Sequence, residues 1–214
     1  MADSPSEPVV VKVGGSLYDL AYLGPRLNSW LEENAAGPVI LVPGGGPTAK
    51  VVREWDRMHS LGEETAHWLA LQALTFNGQW LAHLLKVKIP ALTSDLDGFR
   101  QKKFAILDAH GFALADEKRS GHLPHCWEAT SDSLAARVAI VWGARRLILL
   151  KSVAIPPKMD WEEAGRQGFV DPLFARTVNK GVKSIVVQAI NFREWQPGRR
   201  NAPDRPILGP GQDR

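Results

Sequence analysis

Lys12 stands alone among valines in Val9-Val10-Val11-Lys12-Val13, and Gly14-Gly15-Ser16 follow it directly. A strand of that composition reads as buried on both faces, so its lysine needs an anionic partner. Glycines at the strand end let the chain turn sharply and approach a ligand closely. A phosphate there would meet both the lysine and the first amides of the next helix; an ordinary βα turn with an edge-facing lysine is the alternative. A second glycine turn, Pro43-Gly44-Gly45-Gly46-Pro47, follows the apolar run Val39–Val42. The third polar group is Thr130-Ser131-Asp132-Ser133, set before the alanine-rich run Leu134–Ala139. One hydroxyl of that group is expected to act as an N-cap, and Asp132 either to hold the Lys12 ammonium or to help bind a metal–nucleotide.

Two glycine turns, each between a buried strand and a helix, predict a crevice at the carboxyl ends of a parallel sheet. Backbone amides converging there suit a chain of phosphates, or a phosphate passing between two molecules. Neither turn has the Gly-x-x-x-x-Gly-Lys-Ser/Thr spacing of a P-loop. Neither has the Gly-x-Gly-x-x-Gly and later acid of a dinucleotide site.

The elements that must position these groups follow from periodicity. Strands are expected at Val9–Val13, Val39–Val42, Arg146–Leu150 and Ile185–Ala189, with shorter ones at Ile89–Leu92, Phe104–Leu107 and Phe112–Asp116. A helix from Leu17 to Glu33, capped by Ser16, would bury Leu20, Leu23, Leu27, Trp30 and Leu31. The longest helix, Gly62 to Leu85, carries the stripe Leu69, Ala73, Phe76, Trp80 and Leu84, read as core or as a dimer face. Lys118–Cys126 reads as a polar loop. Residues 155–183 read as irregular with one short helix. Strands alternating with helices imply an α/β fold, a three-layer αβα sandwich with a largely parallel central sheet.

The chain has 214 residues, 44% apolar and 23% charged, which suits one α/β domain. Residues 1–8 and the tail 194–214, with its four prolines and three glycines, read as disordered or mobile around a single domain at 9–193. The net charge of +3 is small and gives little support for nucleic-acid binding, although Arg199, Arg200, Arg205 and Arg214 cluster in that tail. The single cysteine, Cys126, excludes an internal disulfide and fits a reducing, cytoplasmic setting; it reads as a small buried side chain. No secretory signal opens the chain and no segment reads as a membrane span. His122-x-x-His125 has no second pair at metal-ligand spacing, so no metal site is expected there. Glu64-x-x-His67 lies on the long helix as a surface or substrate contact. His67 and Asp56 are candidates for an acceptor pocket.

Val-Lys-Val-Gly-Gly-Ser, Val-Pro-Gly-Gly-Gly-Pro, Thr-Ser-Asp-Ser-Leu-Ala-Ala and Arg-Leu-Ile-Leu-Leu-Lys-Ser-Val occur in this order between Val9 and Val153. Together they resemble the amino acid kinase superfamily, and within it the aspartate/glutamate/uridylate kinase group. Asp56–Leu61 and Ala66–Leu71 are similar to the branch that phosphorylates an aminomethylfuran phosphate in methanofuran synthesis. The resemblance implies ATP with Mg2+, a small-molecule acceptor bearing a phosphate or carboxylate, and a homodimer or larger homo-oligomer. It implies that Lys12 stabilises the phosphoryl group in flight and that Asp132 orients Lys12. Gly14, Gly15, Ser16 and Ser131 would bind ATP phosphates, and Gly44, Gly45 and Gly46 would close on the transferred group and the acceptor.

After the fifth strand that family reads Thr-Asp-Val-Asp-Gly-Val, whereas this chain reads Lys151-Ser152-Val153-Ala154-Ile155-Pro156. Both aspartates are replaced, and the family's later Gly-Gly-Met segment with its second phosphate-binding lysine is missing. Lys151, Lys158 and Lys180 are the candidates for that lysine, with Lys151 best placed at a strand end. Two readings follow: a phosphotransferase, or a non-catalytic nucleotide- or anion-binding subunit of the same fold.

Overall fold

The computed structural model describes residues 7–34, 37–87, 92–93, 104–181 and 185–198. Six parallel strands form one sheet in the order β3-β4-β2-β1-β5-β6: β1 Val9–Val13, β2 Val39–Pro43, β3 Leu92–Thr93, β4 Phe104–Leu107, β5 Arg146–Lys151 and β6 Val186–Asn191. The central strands β1 and β2 are buried along their whole length. That is the burial their near-continuous apolar runs predict.

Helices cover both faces, giving the three-layer sandwich. They are α1 (Leu23–Asn34), α2 (Gly46–His59), α3 (Glu63–Leu84), α4 (Ala109–Asp116), α5 (Ser131–Trp142), α6 (Trp161–Arg166) and α7 (Phe174–Asn179). Strand alternation sorts the core into two sets. Val10, Ile40, Val42, Leu147 and Leu149 meet α4, α5 and the first half of α3; Val11, Val13, Leu41, Ile148 and Leu150 meet α1 and the last turns of α3. Lys12 and Lys151 belong by parity to the α5 face, because Lys12 pairs with Leu149 and Lys151 lies two residues further on.

Several expectations are corrected. The first helix begins at Leu23; a 3₁₀ turn at Gly15–Leu17 takes up the chain after β1, so Ser16 caps no α-helix. Phe112–Asp116 is part of α4, not a strand. Its Ala-Leu composition favours a helix, and Asp108 caps it by accepting from Gly111 N at 3.1 Å and from Thr75 Oγ1 at 2.8 Å. On α3 the buried face is His67, Leu71, Leu74, Gly78, Leu81 and Leu85. Of the predicted stripe, Trp80 and Leu84 pack partly buried against the core, Leu69 and Ala73 are half-buried, and Phe76 is 59% exposed. The described residues 155–181 hold two short helices, α6 and α7. Residues 89–91, 94–100, 1–6 and 199–214 lie outside the described residues.

The segment after β6 is anchored from its start. Trp195 is buried and stacked on Phe192 at 5.7 Å. Arg26 of α1 donates to the Phe192 carbonyl at 2.8 Å and to the carbonyl of Trp195.

Candidate active site

A cavity of about 1290 Å³ opens above the carboxyl ends of β1, β2 and β5. Its wall includes Lys12, Gly14, Gly15, Ser16, Gly45, Gly46, His67, Ser131, Asp132 and Lys151. Nearly all the residues singled out from sequence therefore meet in one place. Gly44 sits just behind the wall, while Lys158 and Lys180 are exposed and line no part of it.

The glycine turns touch each other. A Cβ on Gly15 would lie 2.1 Å from Gly46 N, and one on Gly44 would lie 2.3 Å from Gly15 N. Only glycine allows that approach. Gly46 also holds φ +54° with the Tyr18 ring against it. The second turn is fixed from behind by Asn77 of α3, which donates to the carbonyls of Gly44 (2.8 Å) and Gly45 (2.7 Å) and accepts from Thr48 Oγ1 (2.9 Å). Tyr18 donates its hydroxyl to the Gly44 carbonyl at 2.9 Å, and burial pushes its pKa up. Ser16 Oγ donates to Ser152 Oγ at 2.9 Å, joining the first turn to the residue after β5. Arg193, also on the cavity wall, donates to the Ser16 carbonyl at 2.8 Å and pairs with Asp19 at 2.5 Å.

At the floor, one carboxylate serves two lysines. Lys12 Nζ lies 2.8 Å from Asp132 Oδ1, and Lys151 Nζ lies 2.7 Å from Oδ2. All three are buried, at 5, 8 and 5% exposure for Lys12, Lys151 and Asp132. Burial alone would raise the Asp132 pKa, but the charges of Lys12 and Lys151 overcome it and hold it at about 2. Burial and the neighbouring Lys12 charge bring Lys151 down to about 8, against the opposing pull of Asp132.

The helix that carries Asp132 is capped from a distance. Thr130 occupies the N-cap position without capping through its own side chain. Instead Asp171, buried at the turn before α7, accepts from Thr130 N (3.1 Å), Thr130 Oγ1 (2.9 Å), Ser133 N (2.9 Å) and Ser133 Oγ. The expected hydroxyl cap is thus replaced by a carboxylate acting across the fold. Burial and the charge of Asp132 raise the Asp171 pKa, while these bonds oppose that.

The far wall is aromatic and basic. Asp56 stands outside the cavity wall; its carboxylate accepts from Gly62 N at 3.1 Å and from Trp127 Nε1 at 2.7 Å. Trp127 lies under the Arg53 guanidinium at 4.3 Å, and Arg53, Lys50 and Trp127 all face the cavity. Asp56 is therefore a support for that pair, not a wall residue. His67 is buried and stacked on His125 at 4.8 Å; burial and the His125 charge push its pKa down to about 4. Cys126 is half-buried on the wall, more open than the sequence reading has it.

Sequence reasoning missed Asn77, Asp171, Arg193 and Tyr18. Asn77 has one signal, a polar residue interrupting the true apolar face of α3. The other three act on partners too distant in sequence to leave a local mark.

Comparison with known proteins identifies the family and the fold. Residues 7–154 match the profile of the amino acid kinase family. A [5-(aminomethyl)furan-3-yl]methyl phosphate kinase of Methanocaldococcus jannaschii is 30% identical over 146 residues. That match covers 67% of this chain and 65% of the relative, so the chain spans just under two-thirds of that protein's length. Solved structures of UMP kinases share the fold at low identity. That of Ureaplasma parvum superposes with a TM-score of 0.60 at 14% identity, covering 90% of this chain and 92% of that one. Uridylate kinase of Archaeoglobus fulgidus gives 0.57 at 17%, covering 86% and 90%. No helix among the described residues is long and apolar enough to cross a membrane. By its ordered motifs, its fold and its profile, the chain belongs to the amino acid kinase family.

Proposed function

We propose that this chain is a small-molecule kinase that passes the ATP γ-phosphoryl group to an oxygen of a phosphate monoester. The observation that carries the reading is the Lys12–Asp132–Lys151 cluster lying under two interlocked glycine turns. An acceptor oxygen attacks the γ-phosphorus, the bond to the bridging β,γ-oxygen breaks, and ADP leaves with the electron pair. The acceptor oxygen is already anionic, so no general base is required. What the protein supplies is alignment and positive charge where the transferred oxygens crowd. Lys12 and Lys151 give that charge, and Asp132 fixes both ammonium groups before substrate arrives. Lys151 takes the place of the family's second phosphate-binding lysine.

Magnesium enters as part of the Mg–ATP substrate. Both Asp132 oxygens are engaged by lysines, and both Asp171 oxygens cap α5. The carboxylates beside Lys12 are thus committed, and no step is assigned to a protein-held magnesium ion there.

The acceptor is expected on the side of α2, where Lys50 and Arg53 follow the second glycine turn and Trp127 offers an aromatic surface. An aromatic methyl phosphate bearing an aminomethyl group, as named for the Methanocaldococcus relative, fits such a wall. The test is ATP turnover against that compound, UMP and a set of acyl acids, with Lys12→Ala as control. Transfer to a phosphate monoester that disappears in the variant supports the reading. Saturable ATP binding with no transfer to any acceptor overturns it in favour of a non-catalytic binding subunit. That second reading is motivated by Ser152 and Ala154 standing where the family carries aspartate. A homo-oligomer is expected through the outward face of α3 around Phe76; light scattering that gives the mass of one chain overturns that expectation.

A further inference from the structure

We propose that Glu117, His122 and His125 form a binding site for a zinc-class divalent ion at the rim of the cavity, with Glu64 as its outer support. Three elements of the chain meet there. Glu117 closes α4, His122 and His125 lie on the loop that follows, and Glu64 stands on the first turn of α3. Glu117 Oε1 is 2.9 Å from His125 Nε2 and 3.5 Å from His122 Nδ1, and one ligand atom from each of the three residues lies within 4.8 Å of the others. Ligands on tetrahedral zinc, bonded at about 2.0–2.2 Å, sit roughly 3.3 Å apart. The two carboxylate–imidazole distances bracket that value; binding would draw His122 Nδ1 from its 3.2 Å contact with the Leu123 carbonyl, and none of the three residues is fully buried, so an ion can enter.

The outer support distinguishes this cluster from a chance meeting of surface polar groups. Glu64 Oε2 accepts from His125 Nδ1 at 2.5 Å, and Trp68 Nε1 donates to Glu64 Oε1 at 2.6 Å. The carboxylate therefore fixes the imidazole and leaves Nε2 turned toward Glu117 and His122. A carboxylate that accepts from the far nitrogen of a ligating histidine is the usual second layer of a zinc site. On the other side the His67 ring stacks on His125, which limits its rotation. Two imidazoles and one carboxylate suit zinc or cobalt better than magnesium or calcium. In the metal-free arrangement a proton links His125 Nε2 to Glu117 Oε1; the ion would replace it.

Three protein ligands leave a fourth position on tetrahedral zinc. Glu117 and His122 line the same cavity as Lys12, so the ion would sit at the edge of that cavity. The fourth position would hold water, or an oxygen or nitrogen of a bound molecule. This site stands on its own ligands and does not depend on the kinase reading.

The experiment is titration of the full chain, stripped with chelator, with Zn2+ by calorimetry and with Co2+ by visible absorption. The expected result is one ion per chain and the intense spectrum of four-coordinate cobalt. His122→Ala and His125→Ala should each weaken binding at least tenfold. Glu64→Gln, which touches no ion, should weaken it about 10- to 100-fold. Circular dichroism checks that each variant stays folded, and exposed His122 on its loop is the variant least able to disturb the fold. Absence of saturable binding, binding unchanged in His122→Ala, or only the weak absorption of six-coordinate cobalt would overturn the site.

Discussion

Lys12 and Lys151 stand on neighbouring parallel strands and grip opposite oxygens of one buried carboxylate, at 2.8 and 2.7 Å. Neither position is close in sequence to Asp132. The pleat of the sheet puts both lysines on the face that α5 covers, and the start of α5 drops Asp132 between them. Asp132→Asn keeps the shape and removes the charge that pairs both ammoniums. Leaving buried charges unpaired costs about 3–5 kcal/mol. Urea unfolding should show a loss of that order, and phosphoryl transfer should fall at least about 100-fold.

On the proposed reading, Lys151 gives the reaction a pH limit. Its pKa is lowered to about 8 by burial and by Lys12, so its charge is present below that value and disappears above it. Turnover per unit substrate should therefore decline as pH rises through about 8. The stability effect has the opposite sign. The cost of keeping Lys151 charged in the fold is fully present below pH 8 and fades between there and its ordinary value of 10.5. A rate profile flat to pH 9.5 would contradict the first statement.

Asp132 sets the acid limit. Its pKa is held down to about 2 by the two lysines in spite of burial, against an ordinary 3.8. The stabilisation is present above pH 3.8 and is lost as pH falls toward 2. Acid unfolding of the wild type should steepen in that window, and Asp132→Asn should lack that component.

Asp171 is a support whose removal should be felt at Asp132. It caps α5 with four hydrogen bonds from Thr130 and Ser133. Asp171→Ala should cost about 2 kcal/mol of stability and reduce kcat more than it changes KM for ATP. Asp171→Asn keeps one acceptor oxygen and should recover part of both. Equal kcat in wild type and Asp171→Ala would show that α5 holds Asp132 without this cap.

Arg26 ties the segment after β6 to α1. Arg26→Ala removes the donor shared by the carbonyls of Phe192 and Trp195 and should cost about 1–3 kcal/mol. It should also increase Trp195 exposure to a soluble fluorescence quencher. Unchanged quenching would mean that the stack on Phe192 alone secures the segment.

The sequence shows the sheet plainly where runs are uninterrupted. Val9–Val13, Val39–Val42 and Arg146–Leu150 are strands within a residue of their expected ends. The glycine turns and Thr130–Ser133 are legible because glycine and short polar residues mark strand–helix junctions. The long helix illustrates why faces are harder. Apolar residues surround α3, and its buried row is broken by Asn77 and Gly78, so a cleaner-looking row with Phe76 wins on pattern alone. Asn77 is polar because it serves the glycine turn; function disturbs the pattern that would have revealed burial. The His125–Glu64 contact joins residues 61 positions apart. Each half looks unremarkable in sequence, and only the fold brings them together.

The interlocked turns have a further consequence for how this protein can change. With no room for even one carbon between residues 15 and 46, the two glycine turns cannot drift independently. On the proposed reading, new specificity has to come from the periphery, at Lys50, Arg53, Trp127 and the 117–126 loop, while the point where the two turns meet stays fixed.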